Sequence, residues 1–275
     1  GEGGGGGQRA PAVHVAPTPQ PPPAGGRGTP PRVRCPMQWQ GEGLLIGVRR
    51  HGESSVIAEV MVASRGRTLG LIRGGRSSRL AATLQPGNTV QVSWRARLEE
   101  HLGTFAVELI DARAADLIAD RTRLYACQLL CDHLRLLPER DPHDRLLALA
   151  VDALDDGKDG HALAVELARF ELTLLDELGF GLDLAACAAT GRTTDLTHVS
   201  PKTGRAVSRD AAQPYADRLL ALPAFLVADA DAGRADLAAA FRLTGHFLHR
   251  HVWDPRQLDP PAVRDGLIEA LTDPV

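Results

Sequence analysis

The sequence predicts an α+β chain in which a small antiparallel β-barrel comes first and an all-helical region follows. Three observations carry this. Apolar residues recur with a period of two between positions 43 and 112, turn-forming clusters break that stretch into short runs, and the period becomes helical from 116 onward. A length of 275 residues leaves room for about two domains, each with its own core.

Residues 1–36 open with GEGGGGG and continue through TPQPPPAGGRGTPP, which offers too little apolar side chain to offset chain entropy. The expectation is a disordered extension upstream of Met37, the first methionine; a basic arm that touches phosphates is the functional alternative. The barrel is expected over 37–115, with strands at 43–49, 55–62, 67–73, 89–98 and 104–110. Between them stand HGES, SRG, QPGN and HLG. In TVQVSWRARL the residues Val90, Val92, Trp94, Ala96 and Leu98 alternate with Gln91, Ser93, Arg95 and Arg97, the pattern of a half-buried strand with arginines on one face. Five short strands suggest an OB-fold, the five-stranded barrel associated with single-stranded nucleic acid.

The helical region is expected over 116–275. Asp141-Pro142-His143-Asp144 reads as a cap, a proline in the first helical position and an acid in the first turn. Leu163, Leu167, Phe170, Leu174 and Leu178 form a stripe closed by Gly179, and Leu237, Phe241, Thr244 and Leu248 mark a later helix. Residues 181–215, rich in Gly, Thr and Ser, read as an irregular loop insert.

Charge is segregated along the chain. The formal total is −3, yet residues 1–36 and 37–115 each carry +3 and residues 116–275 carry −9. Between Met61 and Leu98 there are seven arginines and no acid. Such asymmetry points to a polyanion on the front half, with the acidic rear favouring solubility. Arg67 and Arg73 end one strand, GGRSSRL follows as a loop whose glycines allow close backbone approach to phosphate, and Arg95 and Arg97 share a face of a neighbouring strand. With Arg49, Arg50, Arg65, Arg76 and Arg79 they form the expected backbone-tracking surface, whose binding would be salt-dependent and largely sequence-independent. A barrel that merely has basic strand faces is the bland alternative. By alternation Trp94 faces the core, which leaves Trp39 and His51 as stacking platforms.

Other chemistry finds little support. The four cysteines are too dispersed for a secreted disulfide framework, and no run of about 18 apolar residues occurs, so the expected compartment is the cytoplasm. Cys127 and Cys131 read as buried thiols and His246, His249 and His251 as a solvated helix face, without the carboxylate or paired cysteines of a metal site. There is no P-loop, no G-x-S-x-G and no triad, so neither an enzyme nor a cofactor is expected.

MQWQGEGLLIGVRRHGESS at 37–55, LQPGN at 84–88, RLLALA after LPERDP, ARFELTLLDELGFGLDLAACAATG at 168–191 and VSPKTGRAVS at 199–208 together resemble the bacterial recombination mediator family RecO, in order from about 37 to 250. The resemblance implies a non-enzymatic DNA repair protein that binds single-stranded DNA, with duplex DNA a second candidate. It also implies annealing of complementary strands and work with RecR to load RecA onto DNA coated by single-strand binding protein. In that family the helical domain receives the acidic, phenylalanine-terminated tail of the single-strand binding protein; Arg169 with Phe170, and Arg242 with Phe241, are the candidates here. Some members hold zinc through four cysteines, and the corresponding positions read Cys187, Thr190, Ser208 and Ala211, so no metal is expected. Lys202 and Arg205 in that segment extend the DNA surface or are solvated turn residues. Two other classes stay open: an adaptor that docks partner tails with incidental DNA contact, and an RNA-binding OB protein, since nothing in the sequence recognises a 2′-hydroxyl.

Overall fold

The structure, a computed structural model, describes residues 37–272 other than 99 and 156. The expectation of disorder over 1–36 lies outside the described residues. A closed barrel comes first: β1 (Met37–His51), β2 (Ser55–Val62), β3 (Gly66–Ile72), the short α1 (Ser78–Ala81), β4 (Thr89–Ala96) and β5 (Thr104–Asp111), with the strand order β1-β2-β3-β5-β4. Helices follow: α2 (Ala114–Ala119), α3 (Arg121–Leu134), α4 (Asp144–Ala153) and α5 (Gly160–Glu177). Next come β6 (Leu196–Val199), β7 (Ala206–Ser208), α6 (Arg209–Ala212) and β8 (Leu220–Ala221). The chain ends in α7 (Arg234–Leu248), a π-helical turn over His249–Trp253, α8 (Asp254–Arg256) and α9 (Val263–Thr272). Among the described residues no helix is long and apolar enough to cross a membrane.

β1 is longer than its apolar run because it serves two ladders. Its first half pairs with β4 and its second half with β2, and Gly43 pairs with both Val62 and Val90. A Cβ at Gly43 would lie 2.6 Å from the Met61 carbonyl oxygen, so only glycine fits where the strand changes partner. A bulge at Ile46, between the pairs Leu45–Val60 and Gly47–Glu59, then turns the strand. Leu45 consequently enters the barrel core with Val60, Val92 and Trp94, while Leu44, Ile46 and Met61 pack with the helices. β2 is covered on both faces, which explains an apolar run interrupted after Ser55 only by Glu59.

The barrel is fastened to the helices by charge as well. Glu59 on β2 is 6% exposed and accepts hydrogen bonds from Arg67 of β3 (3.1 Å) and from Arg135 at the end of α3 (3.2 Å). The segment after α3 runs beside β3, where the Arg140 amide donates to the Arg67 carbonyl (2.9 Å). Gly66, at φ +69°, lies so close that a Cβ would collide with the Asp141 carbonyl oxygen.

Two expectations are corrected here. α4 starts at Asp144 rather than around Pro142, with His143 in the capping position and no side-chain cap; Asp144 instead accepts from the Ser64 amide (2.6 Å), holding the β2–β3 turn to the helices. Residues 181–215 are not merely irregular: β6 pairs with β7 and β8 around a cluster of Cys187, Val207 and Ala212. Short strands of three or four residues give too few alternations to show a period.

Inside the helical region Glu171 of α5 is fully buried and meets His133 of α3 (2.7 Å), Arg264 of α9 (2.5 Å) and the Thr244 hydroxyl of α7. Four helices therefore converge on one carboxylate. Burial pushes its pKa up, but the Arg264 guanidinium and the His133 and Arg264 hydrogen bonds outweigh this and hold it down at about 2.

Two expectations for stability follow from these clusters. Glu59→Ala removes the carboxylate that Arg67 and Arg135 share and should cost on the order of 2 kcal/mol, since both arginines keep other partners, read as a lower urea midpoint. Glu171 has its pKa depressed on folding, so its contribution is complete above about pH 4.5 and drains away as pH falls toward 2; the melting temperature of Glu171→Gln should fall less steeply over that interval than that of the unsubstituted chain.

Candidate nucleic-acid interface

The barrel wall is sealed unevenly. β3 and β5 meet through a single parallel pair, Leu71 with Thr104, supported by the Leu71 amide donating to the Gly103 carbonyl (3.0 Å). Beside this seam lies an open groove of ≈ 700 Å³. Its apolar lining includes Ile72, Leu80, Phe105 and Val107, and Ser93 and Thr104 add hydroxyls. Arg73, just past the end of β3, and Arg95 on β4 also line it. Arg95 points out because the strand alternates: Val92, Trp94 and Ala96 are buried, Arg95 is exposed. Gly70 lies so close to Phe105 that a Cβ there would sit 2.4 Å from the ring, which lets the phenylalanine reach into the space between the strands.

The other arginines distribute around this groove. The segment expected as the loop GGRSSRL contains α1, whose Leu80 faces the groove and whose Ala81 helps line a second recess on the far side, with Arg50 and Arg76. Arg76 donates to the Glu53 carbonyl (2.5 Å) and its amide donates to Ser54, which ties the segment to the β1–β2 turn. Arg79 is exposed on α1; Arg49 and Arg50 are exposed on β1, and Arg97 is exposed after β4. Arg65 occupies the β2–β3 turn with its guanidinium 4.7 Å from the centroid of the Trp39 ring. Among the described residues none of these eight arginines forms an ion pair.

Arg67 does not belong with them. It is 18% exposed, paired with Glu59 and also donating to the Leu137 carbonyl (3.0 Å), so it faces the helices and is already neutralised. Glu59 stands just outside the acid-free stretch that singled Arg67 out, and strand pairing brings the two together. Lys202 is exposed in the turn between β6 and β7, but Arg205 is ion-paired with Asp183 (3.1 Å). Trp94 is buried as alternation requires, Trp39 is half-buried, and His51 is exposed.

The expected tail-binding pairs do not form a pocket. Phe170 and Phe241 are each 1% exposed within the helical core. Arg169 donates to the Phe225 carbonyl (3.2 Å) and pairs with Glu166, and Arg242 is exposed to solvent. Adjacent positions on a helix diverge by about 100°, so an arginine next to a buried phenylalanine in sequence does not by itself edge the same cavity.

The histidines and thiols take varied places. His246 donates to the Pro201 carbonyl (3.1 Å), His249 pairs with Asp254 and His251 stacks on Phe180 with centroids 4.8 Å apart, so only His249 fits the expected solvated face. Cys127 and Cys131 pack in the core, where the neighbouring Cys127 thiol and burial push the Cys131 thiol well above its ordinary range.

The zinc that the family resemblance brings into question does not suit this donor set. Cys187 accepts from the Ser208 amide (3.2 Å) and hydroxyl (3.3 Å), and no second thiol stands beside it among the described residues. Burial raises its pKa, but the Ser208 and Thr190 hydroxyls and the Ser208 and Ala189 amides more than reverse this, giving about 6. Hydroxyls and amides here do for the sulfur what a metal would do, and one thiolate cannot hold a tetrahedral structural zinc. A strong chelator should accordingly leave the melting temperature unchanged, and elemental analysis should find no stoichiometric zinc.

Comparison with known proteins agrees with this architecture. Residues 37–113 match the family described as Recombination protein O N terminal and residues 118–258 match Recombination protein O C terminal. The chain is 55% identical over 238 residues to the DNA repair protein RecO of Sinorhizobium medicae, covering 85% of this chain and 94% of that one. It is 56% identical over 240 residues to the DNA repair protein RecO of Agrobacterium fabrum, covering 85% and 93% of the two chains. With the DNA repair protein RecO of Brucella abortus the identity is 52% over 242 residues, covering 86% and 96%. A five-stranded barrel, a helical region behind it and both halves of the family pattern in sequence establish that the chain belongs to the RecO family of DNA repair proteins.

Proposed function

We propose that this chain is a non-enzymatic recombination mediator that binds single-stranded DNA along the barrel. The observation that carries this is the groove between β3 and β5, whose apolar lining is flanked by Arg73 and Arg95 while, among the described residues, Arg49, Arg50, Arg76, Arg79 and Arg97 form no ion pair on the same barrel, Arg76 being held only to the Glu53 carbonyl. Cations without internal partners keep their full attraction for phosphate, and the release of condensed counterions drives binding. An open apolar lining suits unpaired bases, which a duplex keeps stacked away from the protein. Annealing follows when the arginines screen two strands from each other at once while base edges stay free. Family membership supports the further reading that the chain acts with RecR in the cytoplasm, contacts the tail of single-strand binding protein and so promotes RecA loading. The helical region carries −9, so it suits protein contacts better than DNA contacts.

The test uses fluorescence anisotropy of a labelled single-stranded oligonucleotide with the full chain at several salt concentrations. Reversal of Arg73, Arg76 and Arg79 to Glu should abolish binding at low salt while shifting the melting temperature little. Arg67→Ala should do the opposite, lowering stability through Glu59 and leaving affinity within about two-fold. Unchanged affinity in the triple variant overturns the proposal.

A further inference from the structure

We infer that the barrel end around Trp39 is a stacking slot for one nucleobase of single-stranded DNA, opened when Arg65 leaves the tryptophan ring. This rests on the reading of the barrel as a single-stranded DNA surface and assigns it a second, non-electrostatic contact.

The chain's three tryptophans differ in access. Trp94 and Trp253 are each 2% exposed, whereas Trp39 is half-buried. Trp39 is held in place from beneath. It pairs with Trp94 across the β1–β4 ladder, the two rings stack at 5.8 Å and 19°, and Phe105 meets Trp39 edge-on at 6.2 Å and 76°. A ring fixed this way loses little freedom when a base stacks on it. The one cation over it is Arg65, exposed in the turn and without an ion pair among the described residues. A cation over an aromatic ring at an exposed site is weakly held and easily exchanged for a flat π-system.

The surroundings suit a nucleotide. A recess of ≈ 150 Å³ is lined by Trp39, Trp94, Met37, Ser64 and Thr68 together with Arg65 and Arg140; among the described residues no acid is in its lining, and the nearby Asp144 is taken up by the Ser64 amide and hydroxyl. That volume is far below a drug-sized site and fits the scale of a single ring. Arg65, once off the ring, stands beside the base it has admitted, where the phosphate of that nucleotide lies. Arg140 is fixed at the same place by donating to the His101 carbonyl (2.9 Å). The slot and the groove share the Trp39–Trp94–Phe105 ring cluster as a wall: Phe105 lines the groove, while Trp39 and Trp94 line the slot. Two arginines in the lining, with the nearby Asp144 already engaged by Ser64, favour a nucleobase with its phosphate over an aromatic side chain of a partner protein.

The experiment follows tryptophan emission and anisotropy together as the full chain is titrated with oligothymidylate or with an abasic oligonucleotide of equal length. Emission should fall as oligothymidylate binds, and the abasic strand should bind about ten-fold more weakly without quenching. Trp39→Phe, which keeps a stacking ring and the barrel packing, should bind within about two-fold of the unsubstituted chain while its emission no longer responds. Trp39→Ala should lose about ten-fold in affinity with the salt dependence unchanged, because stacking displaces no counterions. Binding seen by anisotropy without quenching, and equal for the abasic strand, overturns the slot and leaves the arginine track standing. Quenching by a short tyrosine-containing peptide but not by oligothymidylate also overturns it, assigning the ring to a protein partner. No binding of either strand at low salt overturns the underlying reading and the slot with it.

Discussion

A carboxylate buried between two layers must be paired, and that requirement at Glu59 organises the molecule. The residue sits on the strand that is covered on both faces, so neither side offers it water. Arg67 answers it from within the barrel and Arg135 from the helices, and each arginine is thereby oriented. Apolar contact of Leu44, Ile46 and Met61 with the helical core supplies adhesion without direction. The charge cluster supplies the direction, because two guanidiniums satisfy one carboxylate in few arrangements. The barrel therefore presents a defined face to the helices and leaves a defined face to solvent.

That division sets where a polyanion can approach. The helical region carries −9, which disfavours phosphate, while among the described residues the arginines of the groove, of α1 and of the β2–β3 turn form no ion pair. On the proposed reading, the field of a basic barrel beside an acidic body would guide a strand toward one surface and away from the other over about a Debye length, roughly 10 Å at 0.1 M salt.

Much of this was legible in the sequence because it depends on local repetition. Period-two alternation located the five strands and buried Trp94, and the leucine stripe closed by Gly179 located α5, whose αL glycine follows the C-cap at Leu178. What escaped depends on which strands become neighbours. Arg67 looked identical to Arg73 in a window free of acids, and only the β2–β3 ladder and α3 reveal that one is internal and the other is not. Asp144 looked like part of a helix start, yet its partner Ser64 lies 80 positions earlier. Phe170 and Phe241 carried an arginine next to them in sequence, which says nothing about a shared cavity when successive helical side chains diverge. The groove left no signal at all, since it arises from the incomplete pairing of β3 with β5.

The seam at Leu71 and Thr104 gives the barrel an uneven stiffness. Everywhere else the wall is a ladder of seven or more pairs, broken only by bulges in β1–β2 and β4–β5, and parting two such strands would break many hydrogen bonds together. Between β3 and β5 a single bridge holds them. The line along which the wall yields most readily is thus the line where Arg73 and Arg95 flank an apolar lining. On the proposed reading, a strand entering the groove would press on the least-bonded line of the wall, so its binding and the compliance of the fold would be one property.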